Sequence, residues 1–229
     1  MVELSKKIST IVGKTNAEYG LIKEGDRILV GFSGGKDSLT LIHTLNRIKK
    51  VAPYNFEFKA VTVTYGMGEQ VQFLSNHCKE YGIDHEIIDT QIFELAGEKI
   101  RKNSSFCSFF SRMRRGYLYS TAQEQGFNKL ALGHHLDDAM ESFFMNFFYN
   151  GTMRTMPPKY TAENGLEVIR PLIFCRERQL RAFADSNEIN VIGDEACPGL
   201  RFDVKMPHAR ASTKDLLAKL EEENPKIFV

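Results

Sequence analysis

The chain has 229 residues, 42% of them hydrophobic and 26% charged, with a formal net charge of +1. That is long and apolar enough for one large α/β domain whose core needs no staples, and it excludes a mostly disordered chain. No apolar run approaches a membrane span and the opening "MVELSKKIST" has no signal-peptide core, so a cytoplasmic protein without a membrane partner is expected.

Leu4, Ile8, Ile11 and Val12 recur at helical spacing and predict an amphipathic helix ending near Gly20. Ile28 to Phe32 is a short continuous apolar run, typical of a strand buried on both faces, and Leu39, Ile42, Leu45 and Ile48 then mark a helix. A second strand, "FEFKAVTV" (Phe56 to Val63), leads through the loop "TYGMGE" to a helix carrying Val71, Leu74 and Cys78. "DHEIIDT" predicts a third strand, much of residues 99–126 a helix, and "NKLALG" (Asn128 to Gly133) a fourth strand. A very apolar helix from about Asp137 to Tyr149 follows, then a fifth strand in "LEVIRPL". Pro157, Pro158 and Pro198 punctuate loops, and residues 199–229 predict a helical appendage. Strands alternating with helices imply right-handed βαβ units, hence an α/β fold: an open parallel sheet of about five strands with helices on both faces. With no repeat or linker composition, residues 1–229 read as a single domain with an N-terminal helix and a C-terminal helical tail.

The first strand and first sheet helix are separated by Ser33-Gly34-Gly35-Lys36-Asp37-Ser38. Ligands of such sheets bind at the carboxyl ends of the strands. Two glycines let the backbone turn and expose N–H groups, Asp37 or Ser38 can cap the helix, and the positive end of its dipole faces the same space. That is an anion cradle. It is not the common GxxxxGK[ST] loop, which has more residues between its glycines and Ser or Thr directly after Lys.

"SGGKDS" between a strand and a helix resembles the PP-loop of the ATP pyrophosphatases, an adenine nucleotide alpha hydrolase-like fold. "EGDRILVGFSGGKDSLTLI", "SRMRRGYLY", "LALGHHLDDAMES", "NGTMRTMPPK" and "VIRPLIFCRER" occur in the order and approximate spacing of the tRNA 2-thiocytidine synthetases of that superfamily. The resemblance implies an ATP-dependent, AMP- and pyrophosphate-forming sulfurtransferase that adenylates a cytidine carbonyl oxygen in the tRNA anticodon loop, so that a sulfur nucleophile displaces AMP. Adenylation is chemically necessary because a pyrimidine carbonyl is a poor electrophile, and the loop with magnesium stabilises the leaving charge. By resemblance Ser33, Gly34, Gly35, Lys36, Asp37, Ser38, Val63, Gly133 and His134 bind ATP. The resemblance further implies that Asp138 is the catalytic carboxylate, acting through magnesium or a proton, that Asp37 and Asp138 hold Mg2+, and that Arg114 stabilises phosphate charge. The implied partners are tRNA and a sulfur donor protein or sulfide, and a homodimer is carried over from family members.

On residue type alone, Asp137 and Asp138 are equally well helix-start residues favoured by the dipole, and Glu141 is as readily a salt-bridge partner as a ligand. Lys99 to Arg115 holds six basic residues and no acidic one, interleaved with Phe106, Phe109 and Phe110. The basic residues suit an RNA backbone, to which Lys205, Arg210 and Lys214 are added, whereas the phenylalanines read better as a core face.

The four cysteines, at 78, 107, 175 and 197, include no CxxC pair. Many family members hold an iron–sulfur cluster with three cysteines. Cys107 matches the first and Cys197 the third, but Phe110 replaces the second, and a phenylalanine cannot ligate iron. Three accounts stand. Cys107 and Cys197 act without iron, one carrying a persulfide and the other resolving it, with Arg112, Arg114 and Arg115 lowering the thiol pKa; or Cys175 completes a cluster; or sulfur transfer is lost, leaving a PP-loop ligase or amidotransferase on another RNA base or a small molecule. Cys78 reads as core packing.

Overall fold

The computed structural model describes residues 2–99, 106–193 and 208–228, the side chains of residues 97–99, 106, 107 and 208 apart. In chain order the elements are α1 (Lys6–Tyr19), β1 (Arg27–Gly31), α2 (Lys36–Val51), β2 (Glu57–Val63), α3 (Gln72–Glu80), β3 (His85–Ile88), α4 (Ile92–Lys99), α5 (Phe106–Glu124), β4 (Lys129–Ala131), α6 (Leu136–Asn150), β5 (Lys159–Thr161), β6 (Glu167–Ile169), α7 (Glu177–Ser186) and α8 (His208–Glu223). Local chemistry sets several boundaries. The Ser5 hydroxyl accepts from the Ile8 amide to open α1, and Gly20, at φ +57°, closes it in the left-handed conformation that glycine adopts without strain.

One sheet runs in the order β3-β2-β1-β4-β6-β5. The first five of these are parallel, as the alternating pattern implies; β5 is a sixth strand, antiparallel on β6. It falls just after Pro158, where the sequence suggests loop, and three residues are too few to show a period. The helices α4 and α7 are also additions to the predicted elements, while α8 falls in the expected helical tail.

Successive residues of β1 face opposite ways. Ile28, Val30 and Phe32 enter a core with Ile8 of α1, Leu45 of α2, Leu74 of α3 and Leu180 of α7. Leu29 instead joins Val61, Leu130, Val168 and Leu118 of α5 on the other face. Both faces are therefore covered, which is why these strands read as unbroken apolar runs. Among the described residues no helix is long and apolar enough to cross a membrane.

The topology positions the site. From β1 the chain steps outward through β2 to β3, then returns to β4 on the opposite side of β1. Connections leaving β1 and β4 at their carboxyl ends diverge, and a crevice opens where the direction reverses. The loop 32–35 and residues 132–135 border that crevice.

Candidate functional site

The Ser33–Ser38 loop is closed on itself by its two hydroxyls. Ser38 Oγ donates to the Gly35 carbonyl (3.0 Å) and accepts from the Ser33 amide (3.2 Å), and Ser33 Oγ lies 3.1 Å from it. With the Ser38 proton committed to Gly35, the Ser33 hydroxyl is the donor between the two serines. Gly34 has φ +80°, and a Cβ there would lie 2.7 Å from Ile192 Cδ1 and 2.9 Å from Leu74 Cδ2. Its carbonyl accepts from the Ile192 amide at 2.9 Å, so the segment after α7 clips the loop from outside. Gly35 is the N-cap of α2 and supplies no side-chain cap; Ser38 turns back onto the loop. Contrary to the sequence expectation, neither Asp37 nor Ser38 caps the helix. The first amides of α2, which a helix cannot satisfy internally, therefore stay open to an anion.

Across the crevice His135 is the N-cap of α6 and is 4% exposed. Its Nδ1 accepts from the Asp138 amide (3.4 Å) while the Asp138 carboxylate accepts from the His135 amide (3.1 Å), a reciprocal cap. His135 Nε2 lies 3.4 Å from Asp138 Oδ2 and 3.8 Å from Asp37 Oδ1, so one imidazole joins the two halves of the crevice. Burial disfavours its protonation, but Asp137, Asp138 and Asp37 more than offset this and raise its pKa.

The three aspartates differ in what holds them. Asp137 takes both Arg176 Nε (3.1 Å) and Nη2 (3.0 Å) and the Glu177 amide (2.6 Å). Burial opposes ionisation there, yet the neighbouring His135 imidazole, Arg176 and the Glu177 amide hold its carboxyl far below the usual range. It knits the start of α6 to the start of α7. Asp138 is bonded to the His135 amide and, through Oδ1, to Arg210 Nη2 at 2.6 Å. Asp37 is least satisfied: its buried Oδ1 has no hydrogen-bond partner, with Lys36 Nζ 3.4 Å away. Burial, only partly countered by Lys36 and His135, raises its pKa. An orphaned carboxylate oxygen facing a phosphate cradle fits a hard cation such as magnesium. Among the described residues no group of three or more potential metal ligands forms a ready-made cage.

Lys36 Nζ is paired with Glu177 at 3.0 Å, and Glu177 also takes Lys214 at 3.0 Å. Gly133 packs against the first turn of α2. His134 Nδ1 accepts from Arg170 Nε at 3.3 Å, and burial, reinforced by Arg170 and Arg115 against the pull of Asp138, brings its pKa down to about 4. Val63 ends β2 with its side chain buried in the core, which leaves only its main chain for a ligand. Arg114 Nη1 donates to the Tyr65 hydroxyl at 2.9 Å and its guanidinium lies over that ring, while its buried Nε has no hydrogen-bond partner.

Phe109 and Phe110, 6% and 3% exposed, are core residues, and Phe110 meets Tyr65 edge-on. The position that replaces a cluster cysteine is thus filled as packing. The Cys107 side chain, Cys197 and Lys205 lie outside the described residues. Cys78 and Cys175 are buried in the core on the opposite face of the sheet from Phe110, and burial pushes both thiols up to about 12. Cys175 therefore does not adjoin the Phe110 position on α5. Glu141 is a salt-bridge partner, bound to Arg210 at 2.7 Å. Arg210 and Lys214, placed by sequence on an RNA surface, are engaged with Asp138, Glu141 and Glu177. Sequence reasoning missed Arg176, Glu177 and Ile192 as site-shaping residues. "CRE" was visible as a motif, but its partners lie roughly 40 residues away in sequence.

Residues 2–205 match the family described as PP-loop domain. The chain is 42% identical over 225 residues to the tRNA-cytidine(32) 2-sulfurtransferase of Geobacter metallireducens, spanning 97% of this chain and 86% of that protein. It is 37% identical to the protein of the same name from Pseudomonas putida, spanning 97% and 80%. Among solved structures it is similar to the U34-tRNA thiolase NcsA from Methanococcus maripaludis with its [4Fe-4S] cluster, with a TM-score of 0.79 and 26% identity over 96% of this chain and 74% of that one. The NH3-dependent NAD synthetase from Campylobacter jejuni, with a TM-score of 0.54, 14% identity and coverage of 97% and 85%, shares the fold.

Proposed function

The chain belongs to the PP-loop domain family and, within it, to the tRNA-cytidine 2-sulfurtransferases, and on that premise we propose how its site, in a single domain over residues 1–229, thiolates tRNA. The enzyme uses ATP to activate a cytidine of the anticodon loop and replaces the activated oxygen with sulfur. One observation carries the reading: at the reversal of strand order, the open amides of the Ser33–Ser38 loop face Asp138 across His135.

The open first turn of α2 and Lys36 receive the triphosphate, with Glu177 releasing or sharing the Lys36 ammonium. Asp37 and Asp138 are the residues that would hold magnesium, which neutralises charge on the phosphates. The cytidine O2 attacks the innermost phosphorus and the bond to pyrophosphate breaks. Neutral His134, with Nδ1 occupied by Arg170, keeps its proton on Nε2 and donates rather than titrates near neutrality. Arg114, with a spare buried N–H, faces phosphate charge from α5.

For the sulfur step Cys107 and Cys197 act without iron. The outer sulfur of a persulfide on one cysteine attacks C2 and AMP leaves. The thiolate of the other then attacks the inner sulfur, which releases the thiolated base and leaves a Cys107–Cys197 disulfide. Two routes reload it: sulfide attacks the disulfide, leaving a persulfide on one cysteine and the thiolate on the other, or a dithiol reductant reopens the disulfide and a sulfur donor protein passes the outer sulfur of its own persulfide to the freed thiolate. The single-domain chain works as a homodimer in the cytoplasm.

Thionucleoside analysis of tRNA from a deletion strain tests the function: 2-thiocytidine is expected to vanish and to return with the wild-type gene. Unchanged 2-thiocytidine would sink it. Iron and acid-labile sulfide in anaerobically purified protein test the sulfur step, with neither expected in stoichiometric amount.

A further inference from the structure

Glu141 is 5% exposed, and a buried carboxylate is costly without a partner. Among the described residues its partner is Arg210, whose Nε lies 2.7 Å from Glu141 Oε2. Nη2 of the same guanidinium lies 2.6 Å from Asp138 Oδ1. Asp138 and Glu141 are three residues apart on α6, so they share one helix face, and a single planar fork from α8 spans both. Nη1 belongs to neither bond, and the Arg210 side chain is 61% exposed while its partners are 14% and 6% exposed.

The rest of α8 attaches in the same manner. Lys214 meets Glu177 at 3.0 Å, Glu221 meets Arg176 at 2.7 Å, and Leu217 is buried. The C-terminal helix therefore docks on the beginnings of α6 and α7, the two elements that carry Asp138 and the partner of Lys36. With Oδ2 taken by the His135 amide and Oδ1 by Arg210, rotation of the Asp138 carboxylate is stopped.

We propose that Arg210 is a positioning residue: it ties Asp138 to the buried Glu141, sets the direction of the Asp138 carboxylate, and makes a docked α8 a condition of turnover. This deepens the reading of Asp138 as the catalytic carboxylate and rests on it. A lysine keeps the charge but cannot span both carboxylates.

The test uses the full-length chain with Arg210→Met, Arg210→Lys and the double change Arg210→Met with Glu141→Gln. Pyrophosphate release with tRNA and varied ATP is measured beside thermal melting. Arg210→Met is expected to lose about tenfold or more in kcat with KM for ATP within about twofold. The double variant, freed of the unpaired buried charge, regains the melting temperature but not kcat, and Arg210→Lys falls between. Recovery of kcat along with stability in the double variant, or full kcat in Arg210→Met, overturns the proposal and leaves Arg210 a counter-ion for Glu141. If both methionine variants fail to fold, Arg210→Lys decides: a wild-type kcat overturns the proposal, a reduced kcat at wild-type stability upholds it. No pyrophosphate release from the unaltered chain would instead overturn the underlying reading, before any substitution is compared.

Discussion

Gly133 stands directly against the backbone of Asp37. A Cβ built on Gly133 would lie 3.2 Å from the carbonyl carbon and oxygen of Asp37 and 3.2 Å from the Ser38 amide nitrogen. The end of β4 and the first turn of α2 are thus packed main chain to main chain, which fixes the distance between the phosphate cradle and the carboxylates of α6. Neither side is a flexible side chain able to move aside.

Replacing Gly133 with Ala is expected to push the first turn of α2 by a few tenths of an ångström. Because reaction rates respond to misplacement of this size, kcat/KM for ATP should fall about tenfold or more while the melting temperature changes by only a few degrees. Steady-state pyrophosphate release beside a thermal melt checks it; unchanged kinetics would show that the contact does not set the cradle.

Asp138→Asn preserves an acceptor for the His135 amide and so the cap of α6. It removes the charge. Turnover is expected to drop about 10²-fold to 10⁴-fold with the fold intact, read from pyrophosphate release and circular dichroism. Asp137→Asn should differ: its carboxylate binds Arg176 and the Glu177 amide, so its main effect is lost stability.

At the amino end of β4, away from the crevice, Lys129, 4% exposed, is held by Asp26 and Glu167, each at 2.8 Å, and by the Leu21 carbonyl at 2.8 Å. Asp26 is 6% exposed, and although burial opposes it, bonds from Lys129, Asn128 and the Lys23 amide lower its pKa. Lys129→Met strands that carboxylate and should cost about 3–5 kcal/mol in urea unfolding, with activity per folded molecule retained. A loss of kcat at low denaturant would contradict the separation of this network from the site.

His43 Nε2 lies 2.8 Å from His77 Nε2, an arrangement that works only if one nitrogen donates and the other accepts. Burial, then the neighbouring His77 and Lys50, bring the His43 pKa down from 6.5 to about 4. Above pH 6.5 both folded and unfolded chains carry it neutral and it adds no pH dependence. As the pH falls from 6.5 towards 4, only the unfolded chain takes the proton, so stability is lost at up to about 1.4 kcal/mol per pH unit. Urea unfolding across this range should show that decline in the wild type and a flatter one in His43→Gln; parallel curves would remove His43 as the cause.

Much of the architecture was legible in the chain because its signals are local. Ile28 to Phe32 is apolar throughout since both faces of β1 are covered, and Gly20 and Gly34 mark backbone turns with φ above zero. β5 escaped because a three-residue edge strand has no period to read, and the pairing of Lys129 with Asp26 because nothing in sequence brings those positions together. The Ser33–Ser38 motif and "GHHLDD" could be assigned to one crevice because parallel sheets place such loops at the same edge. Their internal division of labour could not. Asp137 and Asp138 are indistinguishable as adjacent helix-start aspartates, yet one is bound to Arg176 and the other to Arg210.

By itself, then, the chain's order of residues determined the strand–helix alternation, the phosphate-binding turn and the buried phenylalanines of α5, since each depends on neighbours a few positions away. Only the tertiary structure decided that Asp37 keeps a bare oxygen, that Ile192 backs Gly34, and that α8 reaches Asp138 through Arg210. Those depend on side chains meeting across dozens of residues, and charge and hydrogen-bond pairing at that range is set by packing geometry, which no local pattern encodes.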